Sequence, residues 1–166
     1  MTKDDTTDVV VSRIINAPVA TVWKMWTDPK MVTQWWGPTD YTSPSAQIDL
    51  RTGGKYLFCM RAPAYQGGQD SYTAGEYKEI VPMEKLVFTQ SLADADGEKL
   101  SKDQLPPDFP ENILTTITFK EVNGMTELTI TEQGWALSQM SAFAYAGMHQ
   151  SLDKMATVLA PSEGVK

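Results

Sequence analysis

Few side chains in this sequence are equipped for chemistry, and that scarcity narrows the field. There is one histidine, His149, and one cysteine, Cys59. Zinc and iron sites built on imidazole want two or three histidines, so no metal and no cofactor is expected. A lone cysteine excludes an internal disulfide and any multi-cysteine metal cluster. Cys59 stands in opposite phase to Phe58 and Met60 with no base evident beside it, and reads as inert rather than catalytic. Acid–base work is left to Glu132, Tyr145 and His149, three weak candidates. Glu132 shares its alternate-residue phase with Leu128 and Ile130 and therefore turns inward. An inward carboxyl with a raised pKa would act as a general base or bind a ligand; at a wet strand end it would do neither. Gln90, in phase with Leu86 and Phe88, is the second inward polar group and needs a partner wherever it is buried. His149 would donate to a ligand or shuttle protons near neutral pH, or stand at a boundary with no role. Tyr145 lies nearer the apolar side of its segment, with its hydroxyl expected to point into the same space. Arg51 and Arg61 suit pairing with carboxylates on an outer face. Gly53-Gly54 shapes a turn, and no glycine fingerprint for phosphate is present.

These residues need elements to position them. Ser138 to Ala160 contains no proline until Pro161, is rich in helix formers, and starts at a good N-cap, Ser138. Leu137, Tyr145, Met148, Leu152, Met155 and Leu159 fall on one helical stripe. Such a helix is roughly 33 Å long, enough to lie along a strand of roughly 27 Å. Gly147 in its middle costs about 1 kcal/mol relative to alanine, which signals close packing, an open space or a tolerated defect. Residues 1–8 are polar and expected to fray. Val9 to Ile15 is a β-branched strand. Asn16-Ala17-Pro18 starts one short helix and Asp28-Pro29 a second, which ends near Trp35-Trp36 before Gly37-Pro38. The period then changes to two, giving about six consecutive strands up to Glu132, with Asn123-Gly124 a strong hairpin turn. Residues 161–166 form a tail, so one domain spans 9–160.

With 166 residues the chain supports a sizeable core. A formal charge of −7 and a pI near 4.6 argue against nucleic-acid binding, which needs clustered Lys and Arg. No apolar run approaches the roughly 20 residues of a membrane span. The start MTKDDTTD lacks the regions of a signal peptide, so a cytoplasmic location is expected.

Several motifs occur together and in order: Asn16-Ala17-Pro18, Val22-Trp23, Trp26-Thr27-Asp28-Pro29, Trp35-Trp36-Gly37-Pro38, Asp49-Leu50-Arg51 with Gly53-Gly54, and Met60-Arg61. Gly75 with Glu79-Ile80-Val81-Pro82, Leu86-Val87-Phe88-Thr89, Thr126 through Gly134, and Gly147 with Ser151-Leu152-Asp153 complete the series. Over nearly its whole length the chain resembles the helix-grip SRPBCC superfamily (START and birch-pollen-allergen-like), in the branch similar to the heat-shock-protein ATPase activator C-terminal domain. The resemblance implies an α+β fold, with a curved antiparallel sheet of six to seven strands around the long C-terminal helix. It does not choose among lipid and hormone carriers, polyketide cyclases, self-sacrificing resistance proteins and co-chaperone domains. Two departures stand out. Met148 occupies the position after the helix glycine where that branch usually has tryptophan, and the Leu92 to Asn112 loop is long.

A hydrophobic or amphipathic small molecule held between sheet and helix is the function this implies. The expected lining is Trp35, Tyr56, Phe58, Met60, Phe88, Gln90, Ile117, Phe119, Ile130, Glu132, Tyr145, Met148 and Leu152. Strand phase alone does not separate a cavity wall from a filled core. The tryptophans Trp23, Trp26, Trp35 and Trp36 would gate a ligand or simply anchor short helices. The alternatives are a cyclase- or hydrolase-type enzyme in the same space and a chaperone-activating interaction module. Self-association as a homodimer is in keeping with the resemblance.

Overall fold

In the computed structural model, which describes residues 6–160, the chain opens with strand β1 (Thr6–Ile15) and helices α1 (Val19–Thr27) and α2 (Pro29–Val32). Six strands follow: β2 (Ala46–Ile48), β3 (Lys55–Arg61), β4 (Asp70–Val81), β5 (Lys85–Ala93), β6 (Ile113–Val122) and β7 (Met125–Ala136). Helix α3 (Gln139–Leu159) is the last element. The seven strands form one sheet in the order β1-β7-β6-β5-β4-β3-β2, antiparallel throughout. Hairpin-linked neighbours generate that order from β2 to β7, and β1 returns beside β7. This is the expected α+β architecture, with all seven strands present.

Local chemistry explains most boundaries. Ser138 Oγ accepts from the Met140 N–H at 3.1 Å, and Ser141 Oγ accepts from the Ser138 N–H at 3.3 Å, a reciprocal cap that starts α3. Asp28 accepts from the Lys30 N–H at 2.9 Å and starts α2, with Pro29 at its first position. Helix α1 begins at Pro18 with no side-chain cap, so Asn16 does not serve as one. Helix α2 stops at Val32 rather than near Trp36; the Trp35 and Trp36 N–H groups then donate to the Val32 carbonyl and turn Trp35 into the core. Thr6 to Asp8 do not fray: they pair with Ala136, Trp135 and Gln133, with a bulge between Thr7 and Asp8. A strand partner satisfies backbone groups whatever the polarity of the side chains. Residues 1–5 and 161–166, which hold the rest of the expected frayed start and tail, lie outside the described residues.

The concave face of the sheet holds two apolar clusters. The larger contains Val11, Ile15, Val22, Trp35, Phe58, Phe88, Ile117, Leu128, Leu152 and Met155. The smaller is built on Val9, Ile113 and Trp135, with Phe109, Met140 and Ala144 packed against it. Helix α3 spans both, and it touches mainly β1 and β7 rather than the whole sheet. That contact is narrower than the sequence stripe. Met148 and Leu159 pack against the larger cluster that contains Leu152 and Met155, but Tyr145 is 48% exposed. Leu137 is 70% exposed because it precedes the cap and never joins the helix. A Cβ at Gly147 would sit 3.7 Å from Pro38 Cγ, an ordinary contact, so close packing does not explain that glycine.

Candidate functional site

Between the two apolar clusters runs a short buried polar seam. Strand alternation sends Gln90 from β5, Thr115 from β6 and Glu132 from β7 to the concave face, and the register sets Thr115 opposite Glu132. Gln90 Nε2 donates to Thr115 Oγ1 at 2.6 Å and to Glu132 Oε2 at 2.8 Å. The other carboxyl oxygen, Oε1, accepts from the Trp135 indole N–H at 3.1 Å. Glu132 is 6% exposed, so the strand end is not wet there. Burial pushes its pKa up, and the hydrogen bonds from Gln90 and Trp135 oppose that only in part. An ionisable carboxyl inside an apolar grip can hold or release a proton against a guest, or accept hydrogen bonds from one. The amide of Gln90 can turn over and present its oxygen instead, so the seam suits either protonation state.

The other expected lining residues divide into three groups. Trp35, Ile117, Ile130 and Leu152 are at most 1% exposed, and Tyr56, Phe58, Phe88 and Phe119 are also buried, all in the larger cluster. A run of ring contacts links Trp26, Trp35, Trp36, Phe58, Tyr56 and Phe88. The Tyr56 hydroxyl donates to the Thr89 carbonyl at 2.6 Å, and burial raises its pKa well above that of a free phenol. It reaches that carbonyl where Gly75 stands; a Cβ at Gly75 would collide with the Thr89 oxygen. Met60 and Met148 are half-buried at the margin. Tyr145 is the correction, while His149 keeps the boundary position that its sequence also allowed. Tyr145 turns outward and its ring meets the half-buried His149 edge-on at 4.6 Å, so neither joins the seam. The hydroxyl expected to aim inward points away because α3 presents only a narrow stripe to β1 and β7.

Three participants escaped the sequence reading. Trp135 lies beyond the expected end of β7, which runs to Ala136. Thr115 was in phase with Ile117 and Phe119, and its alternation was the available signal. Lys154 on α3 donates to the carbonyls of Pro38 at 3.2 Å and Tyr41 at 3.0 Å. With Gln150, which accepts from the Thr39 N–H at 3.0 Å, it straps the loop after Trp36 to α3. Burial lowers the Lys154 pKa.

The long Leu92 to Asn112 connection does two jobs. Its first part continues as a bridge between Ala93 and Lys99 and turns over the convex face. There a cleft of about 400 Å³ is floored by Leu57, Ala74 and Ser91 and walled by residues of the 96–99 turn. The charged groups around it, Lys55 and Lys99 with Glu76, Asp96 and Glu98, carry both signs. Its second part brings Phe109 edge-on to Trp135 at 5.0 Å, closing the concave face beside the seam. Cys59 is buried away from these groups, and its thiol pKa is raised, which suits an inert residue. Among the described residues no three His, Cys, Asp or Glu side chains gather to hold a metal ion. Nor is any described helix long and apolar enough to cross a membrane.

A curved antiparallel sheet closing on a long C-terminal helix is the helix-grip architecture of α+β proteins. Within it, the chain belongs to the family described as activator of Hsp90 ATPase homolog 1-like protein, whose pattern it matches over residues 16–160. Solved structures agree in fold. A Chromobacterium violaceum protein is 26% identical with a TM-score of 0.73, covering 93% of this chain and 98% of that one. A Mycobacterium smegmatis protein is 22% identical with a TM-score of 0.74, over 96% and 94% of the two chains. The AHSA1 protein of Silicibacter pomeroyi is 21% identical with a TM-score of 0.71, over 92% and 97%. No curated protein matches the chain by sequence.

Proposed function

We propose that this protein binds a small amphipathic molecule between the sheet and α3, with the polar group of the guest at Glu132 and Gln90. The observation that carries this reading is the seam itself. A core built only for stability would put apolar side chains at these positions, because a buried carboxyl is costly even when hydrogen-bonded. The surrounding rings of Tyr56, Phe58 and Phe88 supply apolar contact. Among the described residues the apolar side chains of the concave face are buried against one another, so a guest enters by displacing some of them.

Native mass spectrometry of the protein from its own source tests this directly. A co-purifying small molecule, lost or weakened in Glu132→Gln, is the expected result. A chain that is always empty would overturn the binding reading, and a guest whose NMR footprint falls on Leu57, Ala74 and Lys99 would move the site out of the interior.

A second reading is a protein-interaction module of the kind the family description names. The exposed Leu137, Phe143 (59% exposed) and Tyr145 around the start of α3 favour it. Capture of an Hsp90-type chaperone by wild type, lost in Phe143→Ser, would support it.

A further inference from the structure

Of the three most deeply buried indoles, two have their N–H groups satisfied and one does not. Trp35 donates to the Met25 carbonyl at 2.8 Å, and Trp135 donates to Glu132. Trp26, only 3% exposed, has no hydrogen-bond partner for Nε1 among the described residues. It sits on α1 in the larger cluster, its ring edge-on to Trp35 with centroids 4.5 Å apart. A neighbouring ring face is at best a weak acceptor. A buried donor left without a partner is uncommon and destabilising, so this one calls for an explanation.

We infer that Trp26 Nε1 is a binding donor for the guest, and that the guest carries an acceptor oxygen (ketone, ester or ether) on an apolar body. This rests on the binding reading above and adds a second polar point to it. Trp26 begins the run of rings that leads through Trp35, Trp36, Phe58 and Tyr56 to Phe88, and Phe88 precedes Gln90 by one inward step on β5. An acceptor at one end of this apolar run and the Glu132 seam at the other would fix an elongated molecule in one orientation.

Two probes of nearly the same shape isolate the donor: 2-acetylnaphthalene, which carries a carbonyl, and 2-isopropenylnaphthalene, in which a CH₂ replaces that oxygen. Affinities and indole N–H signals are followed by ¹H–¹⁵N NMR in wild type and Trp26→Phe, the variant also identifying the Trp26 signal. The expected result is a roughly threefold to tenfold preference of wild type for the ketone, the range of one net hydrogen bond. A downfield shift of the Trp26 indole proton should appear with the ketone alone, and Trp26→Phe should bind both probes equally. Equal affinity in wild type overturns the assignment, leaving at most an internal water on Nε1. So does a preference that survives in Trp26→Phe. If Trp26→Phe does not fold, wild type is read over all five indole signals: a ketone preference with a ketone-only downfield shift of one of them supports the donor role, and the absence of such a shift from every one is decisive against it. Binding of neither probe to wild type removes the interior reading and this inference with it; binding of both without preference leaves the interior reading standing.

Discussion

Glu132 is the residue on which the chemistry of this molecule turns, and its burial makes a pH prediction with a definite sign. Its native pKa is raised, so the folded chain keeps the proton to a higher pH than the unfolded chain, where a glutamate titrates near about 4.3. Between those two values unfolding releases a proton, and stability falls as pH rises; above the native value the loss is complete. Each unit of elevation is worth about 1.4 kcal/mol. Glu132→Gln removes this dependence. Denaturant unfolding of both proteins from pH 3.5 to 8 should show the variant gaining on wild type as pH rises, with no further gain once the native carboxyl has ionised. Parallel curves would mean an unperturbed carboxyl. The inward direction of Glu132 and Gln90 was legible from alternation alone. Their depth was not, because it depends on Trp135 and Phe109, which close the seam from segments with no periodic signal.

At the scale of elements, α3 was legible in its cap and extent but not in its orientation. A helical wheel shows which residues share a stripe, while the width of the stripe in use depends on how much of the sheet the helix touches. Because α3 rests on β1 and β7, the wheel correctly gave Leu152 and Met155 and misplaced Tyr145. Gly147 follows from the same geometry. Its added Cβ would meet only Pro38 at ordinary distance, so Gly147→Ala should raise stability by about 0.5–1 kcal/mol through helix propensity. Thermal unfolding should show this as an increase of roughly 1–4 °C. A fall in Tm would mean that the 36–41 loop needs the bare backbone. Gly75 is the contrast: β4 and β5 approach so closely there that alanine must collide with the Thr89 carbonyl, and Gly75→Ala should destabilise the same fold.

Taken as a whole, the molecule grips its last helix unevenly. Ser151, Leu152 and Met155 are buried in the C-terminal half of α3, while the N-terminal half buries only Ser141. The polar ties share that bias: Arg13 pairs with Asp153 at 2.9 Å, Lys154 straps the loop after Trp36, and Gln150 holds Thr39. The N-terminal half is left to the small cluster of Val9, Ile113 and Trp135, directly over the seam. Local opening follows the least buried apolar contact, so this half should lift first and uncover Glu132 while the other half stays docked. Native-state hydrogen exchange would read it as lower protection for the amides of residues 143–147 than for 152–156. A guest bound at the seam should slow the first set and leave the second nearly unchanged. Equal protection along α3 would mean that the helix opens as one unit. A molecule could then reach the seam only when the whole grip gives way, and the interior would be a core rather than a site.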